Sequence, residues 1–334
     1  MINKDIQIKG EKIMLCGNRS YKNMGDELIL IGLVKVLNKQ HKRIYVSCYD
    51  TIWMKSYLDK FVDTSKITFV TELPKGFRSF TRFFFSNRAK DFFEYFKVDS
   101  YIVGGGEILT EETPFCRYYW LFGILPGLLS LKNLYFMGGV QIPNKIRNKI
   151  VFNFFFHYGK QFFMRDEECV EALNKIKAEK ATFFMDTSYF VNESRNINIE
   201  NENVQKYIVV NLNSKGSRYL KNLISDIKEY VNNGYKILYV PVSKGIWDPD
   251  IVYYNEIKKH FDNIDNFEIL DWEDDFQEFL HILKGSEIVI SSRLHLFLIS
   301  SFIGCKTKVY PYQKKILKMQ CLLENMKETK EEDI

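Results

Sequence analysis

Short runs rich in β-branched and aromatic residues recur along this chain, and longer segments with helical spacing separate them. Seven runs precede residue 192: Lys12–Cys16, Arg43–Cys48, Ile67–Val70, Tyr101–Val103, Leu134–Met137, Phe162–Met164 and Thr182–Met185. Five more follow residue 203: Tyr207–Leu212, Ile237–Val242, Phe267–Asp271, Glu287–Ser291 and Thr307–Tyr310. Because strands that alternate with helices pair in parallel, the pattern predicts an α/β fold in which each series forms a doubly wound sheet.

The chain has 334 residues, which is long enough for two domains of about 150 residues each. A polar segment rich in Asn and Glu, Asn192–Asn203, separates the two series and is typical of an interdomain linker. The sequence therefore predicts two Rossmann-like domains, residues 1–191 and 204–334, joined by a linker at 192–203. We expect ligands where strand ends face helix starts, and between the two halves.

The charge balance and the cysteines exclude several classes of protein. Forty-seven Lys and Arg against 42 Asp and Glu leave a net charge of +5, which is too small to indicate nucleic-acid binding. The six cysteines lie far apart, without the spacing of zinc ligands. The amino terminus lacks the apolar core of a secretion signal, and the longest apolar run, Trp120–Ser130, is too short to span a bilayer. We expect a cytoplasmic protein with reduced thiols, no metal and no nucleic-acid partner.

Aromatic residues are concentrated in two basic stretches, residues 77–97 and 151–165. Aromatic rings among Lys and Arg are typical of segments that lie on an anionic membrane surface. The same pattern arises when the aromatic face of a helix packs on a sheet. We therefore expect either buried helices or peripheral contact with the inner face of the membrane.

Four polar loops follow predicted strands, and the first contains Gly25 and Asp26 just before an apolar helix. Gly25 permits a tight turn, and Asp26 stands where the positive end of a helix dipole favours a carboxylate. The loop matches neither the dinucleotide-binding nor the P-loop glycine motif. It is compatible with a substrate-binding loop and equally with a capped helix.

The second loop begins with three consecutive glycines, Gly104, Gly105 and Gly106, and continues with Glu107. Residues without a Cβ atom let a ligand or another backbone approach closely, and their N–H groups can point at an anion. The Glu107 carboxylate is suited to binding sugar hydroxyls. Close packing of the strand against a helix is the structural alternative.

The third loop starts with Arg165 and Asp166 at the end of a strand. A guanidinium group at such a position suits a carboxylate or phosphate, because it donates two parallel hydrogen bonds. A surface ion pair between the two residues, or a helix cap by Asp166, explains the same sequence without a ligand.

The fourth loop carries Arg293 and His295 between a buried strand and an apolar helix. A doubly wound domain keeps its ligand site at such a junction. An imidazole can carry a proton near neutral pH, whereas a guanidinium only keeps its charge. A lone His beside a helix is more often structural, but the neighbouring Arg and the other polar loops favour a functional role.

In this order the four loops resemble the polysaccharide pyruvyl transferase family. The matching segments are Gly17–Asn18 with Asn23–Glu27, Gly104–Glu107, Met164–Glu167, and Ser292–His295 with its helix and Gly304. They span about residues 12–316. The resemblance implies a GT-B-like fold, two Rossmann-like domains around a cleft, and transfer of pyruvate from phosphoenolpyruvate to a sugar as a cyclic ketal. It implies no cofactor, and an acceptor that is a cell-surface glycan or its precursor. The acceptor is open among a nucleotide-activated sugar, a lipid-linked oligosaccharide and a finished glycan.

The resemblance also implies roles for individual residues. The catalytic residues would be His295 and Arg293. The substrate-binding residues would be Arg165, Lys315, Gly25, Asp26, Gly104, Gly105, Gly106 and Glu107. Lys314 adjoins Lys315, so the position of the family's lysine is open between these two. Glu107 follows the glycines where the family often has a small residue and then an Asp, which leaves the acceptor open.

Two other functions use the same residues. A GT-B glycosyltransferase with a nucleotide-sugar donor would use Arg165 and Lys315 to bind a pyrophosphate, and a non-catalytic protein would hold an anion or a glycan without turnover. Fold alone does not decide among these functions. The sequence has no decisive nucleotide motif, which favours pyruvyl transfer in exopolysaccharide biosynthesis.

Overall fold

The computed structural model describes residues 6–17, 19–74, 83, 85–86, 88–109, 119–192, 206–245, 248–261 and 267–331. By its contacts the chain divides into two compact units. The first comprises Met1–Tyr21 and Asp26–Val191, and the second comprises Lys22–Gly25 and Asn192–Ile334. A short segment of the first strand-to-helix connection therefore belongs with the carboxyl-terminal unit. Residues 193–203 of the predicted linker lie outside the described residues.

The first unit is built on a parallel sheet of seven strands in the order β3-β2-β1-β4-β5-β6-β7. The strands are β1 (Lys12–Cys16), β2 (Arg43–Cys48), β3 (Ile67–Thr71), β4 (Ser100–Leu109), β5 (Asn133–Val140), β6 (Gln161–Met164) and β7 (Ala181–Phe183). The helices are α1 (Met24–Asn38), α2 (Thr51–Asp59), α3 (Tyr119–Leu129), α4 (Ile146–Tyr158) and α5 (Glu167–Ile176), with 3-10 segments at Ala89–Phe96 and Thr187–Asn192. The strand order reverses between β1 and β4, which makes their carboxyl ends the switch point of this sheet.

The second unit repeats this plan with five parallel strands in the order β10-β9-β8-β11-β12. The strands are β8 (Tyr207–Asn211), β9 (Lys236–Tyr239), β10 (Phe267–Ile269), β11 (Val289–Ser291) and β12 (Thr307–Val309). The helices are α6 (Leu220–Asn232), α7 (Ile251–Lys258), α8 (Phe276–Gly285), α9 (Leu294–Phe302) and α10 (Lys314–Glu331), with a 3-10 segment at Ser214–Tyr219. The switch point of this sheet lies between β8 and β11.

Each of the twelve runs predicted as a strand forms one, but β4 differs in length from the prediction. The prediction ended it at Val103, whereas the strand continues through the glycines to Leu109. Gly104 and Gly105 have φ of 122° and 119°, which is the region that favours glycine. The register with β5 shifts after Gly104 and again after Glu107. The glycine motif is therefore an irregular strand end and not a free loop.

Most aromatic side chains of residues 151–165 pack in the core of the first unit. The buried ones are Phe152, Phe155, Phe156, Phe162 and Phe163. The structure thus confirms the interpretation of a packed helix face for these residues, while Phe154 is 47% exposed. The described part of 77–97 is divided, since Phe83 and Tyr95 are buried and Phe85 and Phe93 are exposed.

Within the described ranges, no helix is both long enough and apolar enough to cross a membrane.

Candidate active site

Buried polar side chains gather at the switch point of the second unit. Asn211 ends β8, and Ser291 ends the neighbouring β11; both are fully buried. Ser292 is also fully buried and its hydroxyl accepts from the Asn213 backbone N–H at 2.9 Å, which ties the two strand ends together. Polar groups are costly to bury unless they are bonded to one another, so this network fixes the corner between β11 and α9.

Arg293 lies at that corner and is held by two carboxylates. Its Nη2 donates to Asp250 Oδ1 at 2.5 Å and to Asp248 Oδ2 at 2.7 Å, and its Nε faces both oxygens of Asp250 at 3.2 Å. Burial lowers the pKa of Arg293, but the Asp250 carboxylate, together with Asp248 and Tyr312, acts in the opposite direction and keeps that pKa above its usual value. Arg293 is therefore a fixed cation whose charge is already matched inside the unit.

Asp250 is the centre of this network. Its carboxylate also accepts from Asn211 Nδ2 at 2.9 Å and from the Ser243 backbone N–H at 3.2 Å. Burial raises the pKa of Asp250, and the Arg293 guanidinium opposes that rise. One buried carboxylate thereby connects β8, the connection after β9, and the corner that bears His295.

The segment Lys22–Gly25 pairs with the connection after β9. Met24 N–H donates to Val242 O at 2.9 Å, and Lys244 N–H donates to Lys22 O at 2.9 Å. Asn23 forms an antiparallel bridge with Ser243 between these two bonds. These contacts explain why Lys22–Gly25, which ends the first βα connection and begins α1, belongs with the second unit.

The pairing places Gly25 against His295. A Cβ atom on Gly25 would lie 2.1 Å from His295 Nδ1 and 2.7 Å from its Cγ. His295 is the second residue of α9 and is half-buried. The structure thus brings together two residues that the sequence predicted for the site, Gly25 and His295, and gives Gly25 a steric reason to be glycine.

The two candidate lysines stand at the start of α10. Lys314 is exposed and Lys315 is half-buried. The sequence alone does not distinguish these two lysines, but their burial does.

At the switch point of the first unit, the glycine motif packs against Arg19. Arg19 is 1% exposed, and its Nη2 donates to Gly104 O at 2.7 Å while Nη1 donates to Asp26 O at 3.2 Å. A Cβ on Gly105 would lie 2.7 Å from Arg19 Nη2. Among the described residues, a Cβ on Gly106 would meet Asp26 Oδ1 at 3.6 Å, which is an ordinary contact. The first two glycines thus serve packing, whereas the described residues leave room for a Cβ at Gly106.

Glu27 is a fully buried carboxyl beside this motif. Burial raises its pKa well above the usual value, and the neighbouring Asp26 raises it further. Arg19 and the backbone N–H groups of Ser20 and Tyr21 act in the opposite direction. The predicted site residue Asp26 is half-buried in the first turn of α1, whereas Glu27 faces the interior.

Arg165 is 4% exposed and forms an ion pair with Asp186, with Nη1 to Oδ2 at 2.9 Å. Asp186 also accepts hydrogen bonds from the backbone N–H and the hydroxyl of Ser188.

Asp166 caps α5 by accepting from Cys169 N–H at 2.9 Å, so the capping interpretation holds for this residue. The backbone of Glu107 pairs with Gly139 in β5, and its side chain lies outside the described part.

Among the described residues, no cluster of three or more His, Cys, Asp or Glu has the arrangement of a metal site.

A model of the polysaccharide pyruvyl transferase family matches residues 23–307. The chain belongs to this family. The match covers both units and most of the chain, and its range includes the first three motifs from Asn23 onward and the Arg293–His295 pair. A search among curated proteins finds no match.

Solved structures share the fold of this family member at low sequence identity. S. aureus MnaA with UDP covers 90% of this chain and 80% of its own, at 13% identity and a TM-score of 0.57. The match to Methanocaldococcus jannaschii UDP-GlcNAc 2-epimerase, in complex with UDP-GlcNAc and UDP, covers 93% of this chain and 92% of the epimerase, at 13% identity and a TM-score of 0.56. The match to a glycosyltransferase from Rickettsia africae covers 90% of this chain and 79% of that chain, at 13% identity and a TM-score of 0.54. The α/β fold is therefore GT-B-like with two Rossmann-like domains, as the sequence predicted.

Sequence reasoning missed several residues that build the site. Asp186 directly follows the run Thr182–Met185 that was predicted as a strand, so the strand-end rule that selected Arg165 would have found it. Arg19 lies in the first polar loop, but nothing local marks it as buried. Asp250 follows no predicted strand and had no signal in the sequence.

Proposed function

We propose that this protein transfers the pyruvyl group of phosphoenolpyruvate to two hydroxyls of one sugar, forming a cyclic ketal. The observation that carries the proposal is the family match over residues 23–307. The acceptor is proposed to be a cell-surface glycan or its precursor. Phosphoenolpyruvate serves as the donor substrate, and the reaction uses no cofactor.

The reaction needs one proton moved to carbon and two oxygen–carbon bonds formed. A proton adds to the methylene carbon of phosphoenolpyruvate as the first sugar hydroxyl bonds to the adjacent carbon. The second hydroxyl then bonds to the same carbon as the phosphate leaves with its bridging oxygen. The two hydroxyl protons balance the proton on carbon and the proton taken up with phosphate.

His295 is the proposed proton carrier. It follows β11 at the switch point of its sheet, and Gly25 limits the position of its ring. A positioned imidazole contributes about 10²–10⁴-fold as a general acid or base. The amino-terminal end of α9, where His295 lies, favours an anion because the first N–H groups of a helix have no partner within it.

The charge of the donor is assigned to Lys315, together with that helix end. A role of Arg165 in substrate binding stays a prediction from the resemblance. Arg293 already shares its charge with Asp248 and Asp250, so within the proposal it fixes the corner that bears His295. Direct contact of Arg293 with substrate stays a prediction. Arg165 has Asp186 as a partner, which orients its guanidinium and leaves part of its donor set for a ligand.

The acceptor is assigned to Gly106, Asp26 and Glu107. The lack of a side chain at Gly106 and the half-buried Asp26 carboxylate beside it suit the close approach of a sugar hydroxyl. Gly104 and Gly105 contribute indirectly to substrate binding, because they allow β4 to pack closely against the Arg19 side chain. The predictions of lipid-linked acceptors and of a cytoplasmic location belong to this proposal.

A ligand panel tests the proposal. The protein is melted with phosphoenolpyruvate, inorganic phosphate, UDP or UDP-GlcNAc, and a ligand at a hundredfold excess over its Kd stabilises the fold by about 2.7 kcal/mol. Phosphoenolpyruvate should raise the Tm more than phosphate does at equal concentration. A rise with UDP or UDP-GlcNAc alone would favour the nucleotide-sugar alternative that the fold relatives suggest.

Two substitutions separate catalysis from binding. His295→Ala should lower kcat about a hundredfold or more and leave the Kd of phosphoenolpyruvate nearly unchanged. Lys315→Ala should mainly weaken binding, because a charge-assisted hydrogen bond is worth about 1.5–3 kcal/mol. Lys314→Ala is the matched control, since this neighbour is exposed. Binding without turnover in every acceptor mixture would support the non-catalytic alternative.

A further inference from the structure

Helix α4 is apolar on two faces. Phe152, Phe155 and Phe156 are buried in the core of the first unit. On the other face Ile146, Ile150 and Phe154 are 80%, 67% and 47% exposed. Residues four apart stack along one side of a helix, so these three form a stripe about 12 Å long, which we call the α4 stripe. A helix that is apolar on both faces normally has both covered.

The turn after α3 extends this surface. Leu129 and Leu131 are 67% and 82% exposed. The link to the stripe is Tyr158, whose ring stacks on Phe154 at 6.2 Å and whose hydroxyl donates to the carbonyl oxygen of Lys132, next to Leu131.

The stretch of chain that carries this surface has charges of one sign. Residues 113–165 contain no Asp or Glu. They contain seven cations: Arg117, Lys132, Lys145, Arg147, Lys149, Lys160 and Arg165. Outside this stretch the remaining 40 Lys and Arg face 42 acids, so the positive net charge of the chain resides entirely here. Lys145 and Lys149 are exposed beside the stripe.

We propose that the α4 stripe, with Leu129 and Leu131, docks on an anionic lipid bilayer. Exposed Ile, Leu and Phe side chains enter the boundary between headgroups and acyl chains, and lysines beside them meet the anionic headgroups. A second copy of this chain suits the surface less, because two stripes face to face would bring their lysines together. The inference rests on the proposed function in one respect: docking would give the protein access to lipid-linked acceptors.

Vesicle co-sedimentation tests the inference without either substrate. The full chain is mixed at low salt with vesicles of phosphatidylcholine alone or with about one third phosphatidylglycerol. We expect binding to the anionic vesicles that weakens steeply with salt. Ile150→Asp should lower the partition coefficient about tenfold or more, and Lys149→Gln should lower it about fivefold. The matched controls on α2, Ile52→Asp and Lys55→Gln, should change it less than twofold, although Ile52 is 84% exposed.

The other outcomes overturn the inference. These are absence of binding, equal binding to neutral vesicles, equal effects of the α4 and α2 variants, or a concentration-dependent dimer in gel filtration that Ile150→Asp abolishes. As a control, circular dichroism melting is measured for each variant to check that these exposed substitutions leave the fold intact. Because phosphoenolpyruvate binding is measured separately, loss of vesicle binding with intact donor binding refutes docking and leaves pyruvyl transfer standing.

Discussion

Substituting Gly25 tests whether the position of the His295 ring matters. A Cβ on Gly25 would lie 2.1 Å from His295 Nδ1, whereas ordinary contact begins at 3.4 Å. Because close-packed interiors do not absorb such an overlap, the imidazole would have to retreat by about 1.3 Å. A misplacement of about 1 Å can cost about a hundredfold in rate, which is about 2.7 kcal/mol of transition-state stabilisation.

The effect of Gly25→Ala on stability should be smaller than its effect on rate. Ala gains about 0.5–1 kcal/mol over Gly within a helix, and overpacking costs about 1–3 kcal/mol, so the net loss of stability should lie between about 0 and 2.5 kcal/mol. Gly32→Ala on the same helix offers a contrast. Its Cβ would meet the Thr187 carbonyl oxygen, which belongs to the backbone and cannot swing away. That variant should lose stability instead.

The assay is acceptor-dependent release of phosphate from phosphoenolpyruvate, with urea unfolding measured in parallel. In the double variant with His295→Ala, adding Gly25→Ala should cost no further activity, since the group it displaces is gone. The histidine NMR signals should report a displaced ring in Gly25→Ala even without substrate. Wild-type turnover in Gly25→Ala, or the same loss with and without His295, would refute the reasoning.

Three further predictions concern the networks around the site. Gly105→Ala should destabilise the fold by about 1–3 kcal/mol, because φ is +119° and the Cβ would meet Arg19, whereas Gly106→Ala should keep its stability and lose activity. Glu27 keeps its proton longer in the folded state, so stability should fall as the pH rises above the usual carboxyl range, by at most about 1.4 kcal/mol per pH unit, and less in Glu27→Gln. Asp250→Asn should lower kcat more than it raises KM, because it loosens Arg293 and thereby the corner of His295.

Each of these predictions has a contradicting result. Urea unfolding that finds Gly105→Ala as stable as Gly106→Ala would remove the packing role of the glycine. Identical pH dependence of unfolding for the wild type and Glu27→Gln would mean that this carboxyl is not the source of the decline. A rise in KM alone for Asp250→Asn would place Arg293 in substrate binding and not in positioning.

The strands were predictable because their pattern is local. Apolar runs with β-branched and aromatic residues mark β1 and β2 within the sequence itself. The end of β4 was predicted less well, because the bulge depends on its pairing with β5. His295 was located by the strand that precedes it, since parallel strands carry sites at their carboxyl ends.

The partners of the site residues were beyond the sequence. Arg293 meets Asp248 and Asp250 across 45 and 43 residues of chain. Gly25 meets His295 only because Lys22–Gly25 pairs with the connection after β9. Such pairing depends on the whole fold, and no local propensity encodes it.

Transfer of isotopically labelled pyruvate tests the central claim most directly. The protein is incubated with carboxyl-labelled phosphoenolpyruvate and extracts containing lipid-linked and polymeric glycans, and label is followed into material that releases pyruvate in mild acid. If the protein transfers pyruvate, label appears in that material together with an equal amount of phosphate, and His295→Ala yields about a hundredfold less of both. Phosphate without label in the glycan, or label transfer that persists in His295→Ala at the wild-type rate, would contradict this claim.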